Sequence, residues 1–333
     1  MSDEGAMIEV AAEPLCAGLV AALVRRLGLA RADAVTTVEH WLRSEQAGKP
    51  CHGLVRALYV AQSGEFGPYA GAPAPAPVRV AAGRLHVDGR GHLGYPLVRG
   101  LIEAGCAEAQ AHGTCVAIGA GVYPSGMLGD WARMACARGC GVVLASGSPA
   151  RVAAPDGRTP LIGTNPLCVG LPAGARPFVC DASTSALTHG DLLLARGTGA
   201  ALPADAAVDG EGARTTSASA VDVEHGRGAL LPIGGSHKAF AIGMAIELLT
   251  SLGGGVPGSP RHAEHGVFAL LLGPALVAES GPAWLAGLAG FAERGARIPG
   301  WASQARAEAQ ARAGTVRLAA STHDRLLALT EAA

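Results

Sequence analysis

The sequence predicts an α/β fold, and three features carry that prediction. Residues 14–62 repeat apolar side chains at helical spacing. A proline-alternating stretch, Gly71–Pro77, then interrupts regular structure. Beyond it, short apolar runs alternate with amphipathic ones, which is the pattern of strands covered by helices.

Taken in order, Pro14–Leu29 reads as a first helix that stops at Gly28, a residue suited to the left-handed turn after a helix end. Ala32–Ser44 reads as a second, with Asp33 as its expected cap. Ala47-Gly48-Lys49-Pro50 breaks the chain, and His52–Gln62 reads as a third helical run. In Gly-Ala-Pro-Ala-Pro-Ala-Pro the prolines remove every second backbone donor, so no ladder forms and the stretch is a linker. Val78–Val87 is then expected extended, Tyr95–His112 helical, Cys115–Ile118 a buried strand, Met127–Arg138 a helix and Gly141–Ser146 a strand. Gly197–Gly226 is rich in Gly, Ala, Ser, Thr and Asp and reads as mobile surface. Lys238–Leu252 returns to an apolar helix, and the tail after Pro299 is helical over Ala302–Ala313. These boundaries give a helical region over 1–70, an α/β core over 78–290 and a helical segment over 291–333 that packs back on the first region.

Composition narrows the function. Of 333 residues, 49% are hydrophobic and 16% charged, enough for a packed core, and the formal net charge is -1. No excess of Lys and Arg exists to neutralise phosphates, so nucleic acid is not an expected partner. Met1–Val10 carries Asp3, Glu4 and Glu9 rather than a basic start and an apolar run. Apolar stretches such as Val267–Leu272 fall short of the ~20 residues that a membrane span needs. Cysteines at 16, 51, 106, 115, 136, 140, 168 and 180 form no CxxC pair and complete no zinc site, so reduced thiols in a cytoplasmic protein and no metal are expected.

Common nucleotide signatures are absent. There is no phosphate loop with its Gly-Lys-Ser/Thr ending. Gly119-Ala-Gly121-Val-Tyr-Pro124 has proline where a dinucleotide fingerprint needs its third glycine. Chemistry is concentrated instead at Cys51-His52-Gly53-Leu54-Val55-Arg56. A histidine and an arginine one helical turn apart suit a 2-oxo acid, the guanidinium gripping the carboxylate and the imidazole facing the adjacent carbonyl. A helix-capping histidine with a solvated arginine is the plain structural alternative.

Six blocks in order connect this site to a known family. Ser44 to Tyr59, with Cys51-His52-Gly53 and Arg56, resembles the Ser-His-Gly-x-x-Arg-x-x-x-Tyr element of the malate/L-lactate dehydrogenase family. Gly91-His-Leu-Gly94, Gly163-Thr164-Asn165-Pro166-Leu167, Asp181-Ala-Ser183-Thr184-Ser185, Gly234-Gly235-Ser-His237-Lys238 and Arg297-Ile-Pro299-Gly300 are similar to its later blocks. That family includes lactate, malate, sulfolactate and ureidoglycolate dehydrogenases and the cyclic ketimine reductases.

The resemblance implies a non-Rossmann nicotinamide-binding α/β core with helical N- and C-terminal regions, in a homodimer using NADH or NADPH. By the same resemblance His52 is the acid/base, Asp181 orients it and Arg56 anchors the substrate carboxylate. Thr164 and Asn165 line the substrate site. Tyr123, Ser125, Gly126, Pro166, Ser183, Thr184, Gly234, Gly235, His237 and Lys238 fall to the cofactor. The implied reaction moves a hydride to C2 of a small 2-oxo acid or cyclic imino acid. Cys51 stands where the family has Ser or Thr and is included with the catalytic group. Tyr123-Pro124-Ser125-Gly126 replaces the family's Asn-His-Phe-Gly, so a second histidine is missing, and Ala239 and an extra Ser236 alter the later glycine loop. A cyclic imine, which can arrive already protonated, fits the lost histidine. Two other readings stay open: a member that binds cofactor without turnover, and a hydrolase or lyase built on Cys51, His52 and Asp181.

Overall fold

The computed structural model describes residues 6–331; Asp3 and Glu4 of the acidic N-terminus lie outside them. Strand β1 (Met7–Ala11) leads into α1 (Ala12–Leu27) and α2 (Arg31–Gln46). Leu15, Leu19 and Leu23 bury one face of α1, and Gly28, at φ 64°, closes it by donating to the Val24 carbonyl. Asp33 does not cap α2. The helix starts at Arg31, and the Asp33 carboxylate instead accepts the Ala74 amide at 2.8 Å, which pins the proline linker to the helix. The third helical run is split as well: Pro50–His52 is a 3-10 turn, and α3 begins only at Arg56 (Arg56–Gln62). Gly53 breaks the run in an extended conformation, at a spot where a Cβ would collide with the Glu45 carboxylate.

After the linker come β2 (Val78–Ala81), β3 (Arg84–Asp88), α4 (Gly94–His112), β4 (Thr114–Ala120), α5 (Leu128–Ala137) and β5 (Gly141–Ser146). Strands β6 (Leu167–Leu171) and β7 (Phe178–Ala182) precede α6 (His189–Thr198), the short strands β8 (Ala207–Val208) and β9 (Ala229–Leu230), and α7 (His237–Thr250). The chain ends with β10 (Gly266–Leu272), α8 (Pro274–Glu293), α9 (Trp301–Ala313), β11 (Thr315–Ala319) and α10 (Ala320–Glu331). The central sheet runs β2-β3-β4-β10-β5-β6-β7, with β3 and β4 parallel and the other neighbours antiparallel. Strand β10 is central because it is apolar on both faces. Val267, Ala269 and Leu271 are fully buried, and α4 covers the sheet with Leu97, Val98, Leu101 and Ile102. The two termini meet, since β1 pairs antiparallel with β11, Met7 opposite Ala319.

Gly197–Gly226 is mostly exposed, as expected of surface, but single apolar residues within it are buried. Leu202, Ala207, Ala218, Val221 and Val223 from this segment pack with Val152, Ile162, Leu192 and Leu230 in a second core. Single small apolar residues set between turn formers give no periodicity to read, yet together they exclude water. Among the described residues, no helix is long and apolar enough to cross a membrane, and all eight cysteines are free thiols.

Candidate active site

The site grows from the end of α2. The Pro50–His52 turn closes through Gly53 N–H donating to the Pro50 carbonyl at 3.0 Å, and buried Glu45 accepts the Leu54 amide at 2.9 Å. This presents His52 to one side and starts α3 with Arg56 pointing inward. Arg56 is 7% exposed, its guanidinium 4.6 Å from the centre of the Tyr59 ring, with Tyr95 and Tyr123 also beside it. Burial, and then the Arg56 charge, lower the His52 pKa to about 4, against a weaker opposing pull from Asp191. His52 is therefore neutral at pH 7.

Two cavities meet at His52. The smaller, about 70 Å³, is bounded by Arg56, Tyr95, Tyr123, Pro124, Ser125, Ser146, Ser148, Arg151 and His189. The larger, about 320 Å³, is bounded by Gly48, Lys49, Pro50, Met127, Leu128, Asp181, Ser183 and Asp191. Cys51, His52, Gly126, Thr164, Pro166 and Thr188 line both. A third hollow of about 410 Å³ adjoins the larger one through Gly48, Lys49, Met127 and Asp181 and brings in Arg133, Arg297 and Arg306. A cleft next to the buried His52 imidazole, continuing into a hollow with several cations, has the polarity to take a nicotinamide and its pyrophosphate.

The predicted residues divide accordingly. His52, Arg56, Thr164, Pro166, Asp181 and Ser183 converge on these cavities. Tyr123 and Ser125, expected at the cofactor, lie instead on the Arg56 side, and Gly126 lies between the two. Asp181 does not bond His52; its Oδ2 accepts the Gly129 amide at 2.7 Å, since β7 aims it at the start of α5. Asn165 lines neither cavity around His52. It is fully buried, and its Nδ2 donates to the Gly243 carbonyl at 2.9 Å and the Glu247 carboxylate at 2.6 Å, so it ties the Gly163–Pro166 loop to α7. Thr184 bonds the Thr164 carbonyl at 3.2 Å in the same supporting layer. Gly234 and Gly235, in the turn before α7, and His237 and Lys238, the exposed first residues of α7, stay outside both cavities, and His237 faces Asp156 at 3.4 Å. Cys51 is unsuited to nucleophilic attack, because burial and then Asp191 push its thiol up to about 12.

Sequence reasoning missed residues brought from afar. Arg151, after β5 and 4% exposed, donates to the Tyr123 hydroxyl at 3.3 Å. His189 opens α6 with its Nε2 2.5 Å from Glu224 Oε1. His262 stacks on Tyr123 at 4.6 Å, with its Nδ1 2.7 Å from Glu65 and its Nε2 3.2 Å from the Tyr59 hydroxyl. Burial and then Arg151 hold both histidines near a pKa of about 3.

A sequence profile of the malate/L-lactate dehydrogenases matches residues 15–327. The chain belongs to the malate/L-lactate dehydrogenase family. It is 34% identical over 252 residues to an L-lactate dehydrogenase of Cupriavidus necator, covering 72% of this chain and 71% of that one. It is 31% identical over 329 residues to a delta(1)-pyrroline-2-carboxylate reductase of Pseudomonas fluorescens, covering 92% and 93%. A dehydrogenase structure from Sinorhizobium meliloti superposes with a TM-score of 0.85 at 29% identity, over 99% and 100% of the two chains. In this family member His52 and Arg56 share the smaller cavity with Tyr123, Pro124 and Arg151.

Proposed function

We propose that this enzyme reduces C2 of a small 2-oxo acid, or of the matching cyclic imino acid, with NADH or NADPH, and runs the reverse oxidation. The observation that carries this reading is the place of His52 on the wall shared by two cavities, one holding Arg56 and the other opening toward Lys49, Arg133, Arg297 and Arg306.

Bound nicotinamide supplies or accepts the hydride; the protein binds, orients and moves the proton. Arg56 grips the substrate carboxylate in a bidentate fork and thereby sets the C2 oxygen or nitrogen against the His52 ring. Neutralising Arg56 in this way removes the smaller of the two main effects that lower the His52 pKa; burial, the larger, remains. Thr164 and Pro166 shape the junction, and Ser183 and Lys49 face the cofactor side. Tyr95 and the Tyr123–Pro124 turn exclude water around Arg56.

The exposed apolar residues Ile242, Met244, Leu248 and Leu252 on and just beyond α7 support a homodimer. The eight free thiols support a reducing, cytoplasmic setting. The deciding experiment titrates the purified protein with NADH and NADPH and follows nicotinamide fluorescence, then scores oxidation with 2-oxo acids and cyclic imines. Saturable binding of either cofactor is expected. Absence of binding even in large excess refutes the reading.

A further inference from the structure

Asp191 has no place in the chemistry described so far, yet it lines the larger cavity together with His52. It is the third residue of α6, and its Oδ2 accepts the Thr188 amide at 2.9 Å and the Thr188 hydroxyl at 2.7 Å. Gly190 lets the start of α6 close onto the His52 turn, since a Cβ there would strike the Cys51 carbonyl oxygen. Among the described residues no lysine, arginine or histidine forms an ion pair with Asp191. The start of a helix offers about half a positive charge, so on the order of half of the carboxylate's charge is left to the cavity. The other charged groups on this cavity are engaged differently. Lys49 is exposed and also lines the neighbouring hollow with Arg133 and Arg297, on the pyrophosphate side. Asp181 accepts the Gly129 amide, and burial pushes its pKa up toward the uncharged form.

The proposed reaction moves a positive charge within this space. Oxidation of a hydroxy acid breaks its C2–H and O–H bonds. The hydride takes the C2–H electron pair to the cofactor and cancels the positive charge of the oxidised ring, while the proton leaves a positive charge on His52. We propose that Asp191 is the counter-charge for both states: it favours the oxidised nicotinamide over the neutral reduced one, and it answers the charge again once that charge has passed to His52. This rests on the nicotinamide occupying the larger cavity, and adds the residue that discriminates its two redox forms. The effect on His52 has the matching sign, because Asp191 pulls the imidazole toward its protonated form against burial, Arg56, His40 and Lys49. A carboxylate and a cation that share a partly dry cavity attract far more strongly than across bulk water.

The test is calorimetric titration of the chain with NAD+, NADH, NADP+ and NADPH, without substrate, so that no turnover intervenes. Asp191→Asn keeps the oxygen that accepts from Thr188, so α6 stays capped, and removes the charge. It is expected to weaken the oxidised form of the bound cofactor ~10-fold and to leave the reduced form within ~2-fold. Intact affinity for the reduced form shows that the variant is folded. Asp191→Glu retains the charge and is expected to keep the ratio of the two affinities within ~3-fold of wild type. Equal weakening of both forms in Asp191→Asn, or of neither, overturns the inference, as does a Glu variant that loses the ratio as fully as the Asn variant. A wild type that binds none of the four refutes the nicotinamide reading itself, which is a different result from an unchanged ratio.

Discussion

His40 Nδ1 lies 2.9 Å from Asp130 Oδ2, and His40 Nε2 accepts the Met127 amide at 3.0 Å. A backbone donor at Nε2 assigns the proton to Nδ1, so His40 is a neutral imidazole that joins Asp130 to the loop separating the two cavities. Trp131 stacks on its other face at 4.3 Å, and Gly126, at φ 74°, leaves it room, since a Cβ there would overlap the ring. Burial keeps the imidazole uncharged. This pair does no chemistry; it sets where Tyr123–Met127 stands.

Removing either partner therefore costs stability first. His40→Ala leaves the Met127 amide unpaired and a void against Trp131, and should destabilise the fold by about 2–4 kcal/mol. Asp130 adds a pH signature. Burial alone would raise its pKa, but His40 and Arg43 together hold it at about 2, below the ordinary 3.8. A carboxylate depressed on folding contributes stability above its unfolded pKa and loses it as pH falls through the folded value. Asp130→Asn should thus lose on the order of 2 kcal/mol near pH 7 and flatten the acid limb between about pH 4 and 2. Chemical denaturation across pH measures this. An unchanged acid limb in Asp130→Asn would count against the role.

The His52–Arg56 pair makes a kinetic prediction. For oxidation of the hydroxy acid His52 must be neutral to accept the proton, so kcat/KM should hold down to about pH 4 and fall below it. Burial contributes most to that low value and Arg56 next, so Arg56→Met should move the limb upward, part of the way toward 6.5, while weakening substrate binding ~10-fold or more. His52→Gln should lower kcat ~10²–10⁴-fold with cofactor affinity unchanged. A limb that stays put in Arg56→Met means that another group titrates.

Much of this site was legible from sequence, and the limit is physical. His52 and Arg56 share one short segment, where one helical turn fixes their relation before any tertiary contact forms. The fold class was equally readable, because α4 and the short apolar strands β4 and β5 each carry their pattern within one continuous segment. Arg151, His189 and His262 meet only after β5, α6 and the turn before β10 have packed, and nothing local marks a buried arginine. Asn165 was legible as part of a site block but not as a support, because its partner Glu247 lies on α7. Asp181 was read the same way, and only the register of β7 shows its carboxylate turned to the Gly129 amide.

Cys51 separates a reductase from a hydrolase. Its thiol, raised to about 12 by burial and Asp191, stays protonated at neutral pH. Cys51→Ala should keep kcat within about threefold, and iodoacetamide should modify Cys51 far more slowly than a free thiol with its usual pKa of about 8.5. A loss of ~10³-fold or more in Cys51→Ala would restore the nucleophile. Mass spectrometry of the alkylated peptide and steady-state rates on one preparation answer both parts.

Glu45 gives the pocket floor an alkaline weakness. It is 7% exposed, and burial raises its pKa to about 7 from an ordinary 4.5, with the Leu54 amide pulling the other way. Between those two values the folded chain holds a proton that the unfolded chain has released. The stability associated with it is complete below about pH 4.5 and is lost as pH rises through 7. Glu45→Gln keeps the size and the acceptor for Leu54 without an ionisable group. It should match wild type near pH 5, exceed it by about 1–3 kcal/mol at pH 8, and flatten the slope between. Because the Leu54 amide stays paired, the His52 turn keeps its shape and kcat should be unchanged. Urea denaturation at several pH values reads the slope, and an identical alkaline decline in both proteins would place its origin in another group.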